Sequence, residues 1–230
     1  HSAGLKNDDV VSGITAQMAI IYQEMGQYDK ALQYYQKALQ DDIANDRNNN
    51  IAGDYGNIGI VYLLQKNYQK ALEYDQKSLD MFTRLGDNDG VAHNYGNIGN
   101  VYKEMGNYAS TADARDTTGL NALLVPGTAA GLLKQSISYF TECLKISREI
   151  DELANIHEFS KGLSDAYMLS GNYAAALVAY KEHIIFRDSV LSDENRVKIA
   201  RLETDREQAL KEKQIEINSL LVTTKKRERI

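Results

Sequence analysis

The stretch "DYGNIGIVYLLQKNYQKALEYDQKSL" occupies residues 54–79, and "NYGNIGNVYKEMGNYA" begins the same phrase again at residues 94–109. In the first copy, Tyr55, Ile58, Gly59 and Tyr62 recur at three- and four-residue steps, which places them on one face of a helix. Gln65-Lys66-Asn67 supplies a turn. Ala71, Leu72, Tyr74, Ser78 and Leu79 then form the face of a second helix, which the run Gly86-Asp87-Asn88-Asp89-Gly90 ends. Gly59 and Ala71 are small because two helices of a hairpin must come close where those positions meet. A larger side chain there overpacks the contact at a cost of about 1–3 kcal/mol.

Working outward, the phrase recurs along the chain at a spacing of 40 residues. Tyr22, Tyr62 and Tyr102 share one column, Tyr28, Tyr68 and Tyr108 a second, Ala31 and Ala71 a third, Leu39 and Leu79 a fourth. The register breaks after Tyr108 and returns once 25 residues are set aside, with Ser136 in the place of Ala71 and Leu144 in that of Leu79. Tyr167, Tyr173, Ala176 and Ile184 continue the columns, so four hairpins are predicted, the third carrying an insertion at 109–133. One hairpin cannot bury both its inner face and its outer stripe, so neighbours must stack into a curved array.

The insertion, "ASTADARDTTGLNALLVPGTAAGLL", holds the only proline, Pro126, and no tyrosine. It enters at a hairpin turn, where loop closure costs grow slowly with length. A helical lead-in is expected at Thr128 to Gln135. Leu123, Leu124, Val125, Leu132 and Leu133 are expected to cover apolar surface, because together they would expose an unusual patch. Deleting 109–133 is expected to restore the spacing and leave four repeats.

The 230 residues are 43% hydrophobic and 25% charged, which suits a folded chain of one large or two small domains. Ala, Leu, Gln, Lys and Glu dominate, the vocabulary of helices. A net charge of −6 argues against a nucleic-acid partner, which would need a concentrated basic face. The single cysteine, Cys143, cannot form an internal disulfide and reads as a buried small hydrophobe. No apolar run approaches the ~20 residues of a membrane span. His1-Ser2 reads as a tag remnant, with residues 1–8 as an N-terminal tail.

The pattern of aromatic, Ile-Gly, Tyr, Gly-x-Tyr, Ala-Leu, Tyr and Ala/Ser-Leu resembles the tetratricopeptide repeat. "GNIGIVYLLQKNYQKALEYDQKSL" and "QMAIIYQEMGQYDKALQYYQKAL" match along their whole length, and the resemblance covers residues 11 to 190. It implies an all-α fold, a right-handed superhelical array of four helix-turn-helix hairpins across 9–190. The spacing exceeds the family's usual ~34 residues, and the proline common at the repeat end is missing. The resemblance also implies a protein or peptide ligand laid in a groove lined by the first helix of each repeat, with no cofactor and no metal.

The face expected to line that groove offers Gly53, Gly56, Asn57 and Ile60 in the second repeat, and His93, Gly96, Asn97, Asn100 and Lys103 in the third. Glu158, Lys161 and Asp165 follow in the fourth. Mixed charge, and small or apolar residues in the first two repeats, disfavour a carboxylate-clamping site for a chaperone's C-terminus. Asn57 and Asn97 either bond a ligand backbone or satisfy neighbouring helices, as helical Asn side chains commonly do. His93, His157 and His183 fall in different repeats without metal-ligand spacing, and no HExxH, phosphate loop or nucleophile elbow is present, so no catalytic residue is assigned.

Beyond residue 190 the character changes. Residues 191–230 contain neither Gly nor Pro, and Ser192-Asp193-Glu194 reads as an N-cap and acidic first turn of a long helix. Ile199, Leu202, Leu210, Ile217 and Leu221 form a thin apolar stripe that needs a partner. "RDSVLSDENRVKIARLETDREQALKEKQIEINSLL" resembles the segment that joins repeats to a membrane helix in bacterial tetratricopeptide sensor proteins of the histidine kinase, nucleotide cyclase or transcription-regulator type. That resemblance implies an extracytoplasmic sensory domain, a membrane continuation beyond residue 230 and a homodimer through the C-terminal helix. The alternative is a free-standing cytoplasmic adaptor or scaffold.

Overall fold

The computed structural model describes the backbone of residues 2–111 and 128–227, and side chains of residues 13–111, 128–192 and scattered positions from 197 to 211. Among the described residues there are eight helices and no strand: α1 (Ser2–Glu24), α2 (Tyr28–Ala44), α3 (Asn48–Leu64), α4 (Tyr68–Leu85), α5 (Asn88–Thr111), α6 (Ala129–Glu149), α7 (Leu153–Leu169) and α8 (Tyr173–Arg227). The fold is all-α. Chain contacts divide it into residues 1–186, which hold the hairpins, and residues 187–230.

Each hairpin crosses at the same pair of columns. Ala19 faces Ala31, and Gly59 faces Ala71 so closely that a Cβ on Gly59 would lie 3.4 Å from the Ala71 carbonyl oxygen. In the third hairpin Ser136 Oγ donates to Gly99 O (2.8 Å), and in the fourth Ser164 Oγ donates to Ala176 O (2.9 Å). Small side chains let the backbones approach, and where a hydroxyl is present it finds the facing carbonyl. Beside the crossing, tyrosines pair across the hairpin. Tyr22 and Tyr34 stack with centroids 5.2 Å apart, Tyr62 and Tyr74 lie 5.4 Å apart, and Tyr102 and Tyr139 stack at 5.5 Å. The fourth hairpin has Ala179 in place of the second ring.

The turns repeat as well. Gly26, Lys66 and Gly171 adopt φ of 69°, 59° and 80°, and the next residue's N–H returns to the carbonyl of Tyr22, Tyr62 or Tyr167 at 2.8, 2.8 and 2.9 Å. This is a Schellman closure, in which a left-handed residue satisfies the last carbonyls of a helix. Between hairpins Asp46, Gly86 and Asp151 do the same at φ of 53°, 71° and 56°. Asn67 and Asn172 then cap the following helices, accepting from Lys70 N (3.3 Å) and Ala175 N (3.2 Å).

The third hairpin departs from this scheme. α5 runs straight through Gly106 and Asn107 to Thr111, where its siblings turn. Leu133 of α6 lies against Gly106, and Leu132 joins the core of Ile58, Val61, Val101 and Met105, so the point where α5 fails to turn is covered, while Ser110 and Thr111 at its end are exposed. Thr128 caps α6 by accepting from Gly131 N at 3.1 Å. Positions 129–133 are therefore the opening turn of a core helix. Residues 112–127, including Leu123, Leu124 and Val125, lie outside the described residues.

A second core cluster, Phe140, Cys143, Leu144, Ile156, Phe159, Leu163 and Ala166, fills the third and fourth hairpins. Cys143 is fully buried there, and burial pushes its thiol up to about 12. The helix that closes the fourth hairpin does not stop: α8 continues through Ser192, which is no N-cap. The span from Tyr173 to Arg227 has neither Gly nor Pro, the two strongest helix breakers. Of the apolar stripe, Leu202 alone has a described side chain, and it is 60% exposed; Ile199, Leu210, Ile217 and Leu221 lie outside the described side chains. Among the described residues no helix is long and apolar enough to cross a membrane.

Candidate binding cleft

Between the first helices of the second and third hairpins lies a cleft of about 220 Å³. Asn57 and Ile60 reach it from α3, His93 and Asn97 from α5, and Ser78 and Phe82 of α4 close the back. The α3 wall is thin because Gly53 and Gly56 stand there; a Cβ at Gly53 would meet nothing within 4 Å. Four of the nine non-glycine groove residues expected from sequence, Asn57, Ile60, His93 and Asn97, thus meet in one place. The other five do not. Asn100 and Lys103 lie further along α5 and pair with each other, Lys103 Nζ donating to Asn100 Oδ1 at 3.2 Å with Glu104 at 3.7 Å. Glu158 and Lys161 are exposed on α7. Asp165 lines a separate cavity of about 310 Å³ with Met168, Tyr173, Leu177 and Tyr180.

A hydrogen-bond relay orients the cleft's imidazole. Asn155 Nδ2 of α7 donates to Asp89 Oδ1 at 2.7 Å, which turns Asn155 Oδ1 toward His93 Nδ1 at 3.2 Å. With an oxygen as its neighbour, Nδ1 must carry the proton, and Nε2 of the neutral ring is left as an acceptor. Phe159 holds the ring edge-on at 5.4 Å. Asp87 Oδ1 accepts from Gly90 N at 3.0 Å, capping α5 at the rim of the same cleft.

Asn94, Asp87, Asp89 and Phe82 belong to this cleft although none of them is expected from sequence to line the groove. Asn94 falls beside His93 on the inward side of α5, and the Asp87–Gly90 run reads as a helix end. The one available signal is that a buried helical face carries Asn at 94 and 97 within a single turn. Asn97 Nδ2 and Asn94 Oδ1 have no hydrogen-bond partner within the protein, although Asn94 is 2% and Asn97 6% exposed. An unmatched buried amide costs about 1–3 kcal/mol, so the fold bears a penalty that a ligand could remove.

His157 and His183, expected from sequence in different repeats, both belong to the fourth hairpin, on α7 and α8, and are brought together there. His157 and His183 stack at 4.3 Å, with each Nδ1 against the other's backbone carbonyl at 3.2 and 2.8 Å. Among the described residues no three His, Cys, Asp or Glu side chains form a metal-holding group.

The chain matches models of the tetratricopeptide repeat over residues 16–40 and 50–110. No curated protein sequence matches it. Solved structures of similar fold include BtubC (BKLC) from P. vanneervenii, at 20% identity and a TM-score of 0.56 over 80% of this chain and 65% of that one. Another is a Signal Transduction ATPase with Numerous Domains protein with a tetratricopeptide repeat sensor, from Pyrococcus horikoshii, at 18% identity and a TM-score of 0.53. This chain spans 26% of the latter's length. Residues 16–40 and 50–110 are tetratricopeptide repeats, a protein-interaction repeat, and the remaining hairpins share their fold.

Proposed function

We propose that the array, residues 9–190, is a non-catalytic recognition module that lays a protein segment or peptide across the first helices of its repeats. The observation that carries this reading is the cleft between α3 and α5, where Asn57, Ile60, His93 and Asn97 converge on a small opening with unmatched amide groups. Such a site suits a polypeptide, which brings both N–H donors and C=O acceptors. In the sensory reading α8 leads toward the output of a bacterial signalling protein, and the same module standing alone would serve as an adaptor. α8 runs without a break through Ser192, which supports the sensory reading.

The test begins with binders selected from a random dodecapeptide library against the full chain. Asn57→Ala and Ile60→Arg are expected to weaken them about tenfold or more, as hot-spot substitutions do. Glu73→Ala, on the exposed side of α4, should leave them unchanged. Binders indifferent to both cleft substitutions would sink the reading.

A further inference from the structure

The floor and rim of the cleft are chemically one-sided. Asn94 uses Nδ2 on Gly90 O at 2.9 Å, and its Oδ1 meets no donor. His93 offers Nε2 as an acceptor. Asp87 and Asp89 each use one oxygen locally, on Gly90 N and Asn155 Nδ2, and carry a second. No Lys or Arg is among the residues lining the cleft; among its buried side-chain atoms the unmatched donor is Asn97 Nδ2, and the Asn57 amide adds a donor and an acceptor at the opening. Ile60 and Phe82 give apolar walls, and the missing side chain at Gly53 leaves room between them, while Ser78 Oγ packs against Gly56.

We propose that this cleft receives a lysine or arginine side chain of the bound segment. The methylene stem lies on Ile60 and Phe82, as long cationic side chains do on apolar surface. The cation meets Asn94 Oδ1, His93 Nε2 and the rim carboxylates, while Asn97 Nδ2 donates to a carbonyl of the same peptide. A glutamate side chain would face Asp87 and Asp89 with like charge. A glutamine side chain could match the two asparagines but leaves both carboxylates without a counterion. The assignment rests on the groove reading and names the ligand class at one of its positions.

Acetyl-Gly-Arg-Gly-amide, and its Gln and Glu counterparts, titrated into isotope-labelled full chain, provide the test by NMR. The Arg peptide should shift the side-chain amides of Asn94 and Asn97 and the His93 ring along a saturating curve. Gln is expected to bind about tenfold more weakly and Glu not at all, and added salt should weaken the Arg curve. Gly53→Leu fills the open wall at a helical site with no atom within 4 Å and a better helix former, so the fold should persist while the Arg response is lost. Asp89→Asn should weaken Arg several-fold. A Gln peptide as tight as Arg, an Arg response that survives Gly53→Leu, or no response at the cleft would each overturn the assignment. None of these would touch the dodecapeptide result, which judges the groove reading separately.

Discussion

Asp75 stands in the column that Tyr35 occupies in the first hairpin and Phe140 in the third, 1% exposed and facing Gly59 across the crossing. Its Oδ1 has no partner, and burial pushes its carboxyl up to about 8. Asp54 is raised to about 7, first by burial and then by Asp42, against the opposing pull of Arg47. The folded chain therefore holds these protons more tightly than the unfolded chain, whose carboxyls titrate near ~4. Stability is fully present below that ordinary value and falls as pH rises toward about 7 to 8. We expect Tm to drop by several degrees between about pH 5 and about pH 9, and Asp75→Asn to flatten part of that drop, as calorimetry would show. A Tm that rises over the same range would refute the burial argument. The sequence pattern puts Ala71, Ser78 and Leu79 on the packed face of α4 and passes over Asp75, one turn on from Ala71, because a carboxylate does not look like a core residue. Nor does it show that this carboxyl lacks a partner, because partners come from other helices. The same limit hid the Asp89–Asn155–His93 relay, whose members are brought together by stacking of α5 on α7.

At the scale of the element, hairpin crossings tolerate no bulk. Ala71 is 0% exposed, so Ala71→Trp should destabilise the fold by at least the ~1–3 kcal/mol of ordinary overpacking, while the exposed Glu73→Ala should barely move a urea midpoint. Equal midpoints would contradict the crossing geometry. The third hairpin needs a different expectation from the one its spacing suggests. Deleting 109–133 removes Leu132 and Leu133, each 3% exposed, together with the last helical residues of α5. That deletion should lower Tm, and Leu133→Ala alone should cost about 2–5 kcal/mol. A deletion with an unchanged Tm would mean that these leucines contribute no core. The turns within hairpins were readable because each places a left-handed residue, Gly26, Lys66 or Gly171, four positions after the same tyrosine column, whose carbonyl closes the turn. The missing turn at Gly106 was not, because "MGNY" is as competent to turn as its siblings and packing from α6 decides the matter.

At the scale of the whole molecule, the proposed output role makes residues beyond 187 the element to remove. A chain ending at Phe186 should sediment as a monomer, and the full chain should self-associate at high concentration through the stripe that includes Leu202. Monomers in both cases would favour the adaptor reading. The array itself has a further consequence. Every hairpin leans only on its neighbours, so the free energy of opening is set by position along the stack rather than shared evenly. α3 and α5 bury eight and ten residues between two neighbouring layers, whereas residues 173–186 leave Tyr173 and Val178 each 70% exposed. Amide protons should therefore exchange with deuterium faster in the first turns of α8 than in α3 and α5. The binding cleft lies between these two protected helices. A ligand there would meet a surface already ordered before it arrives, and would lose little affinity to freezing it.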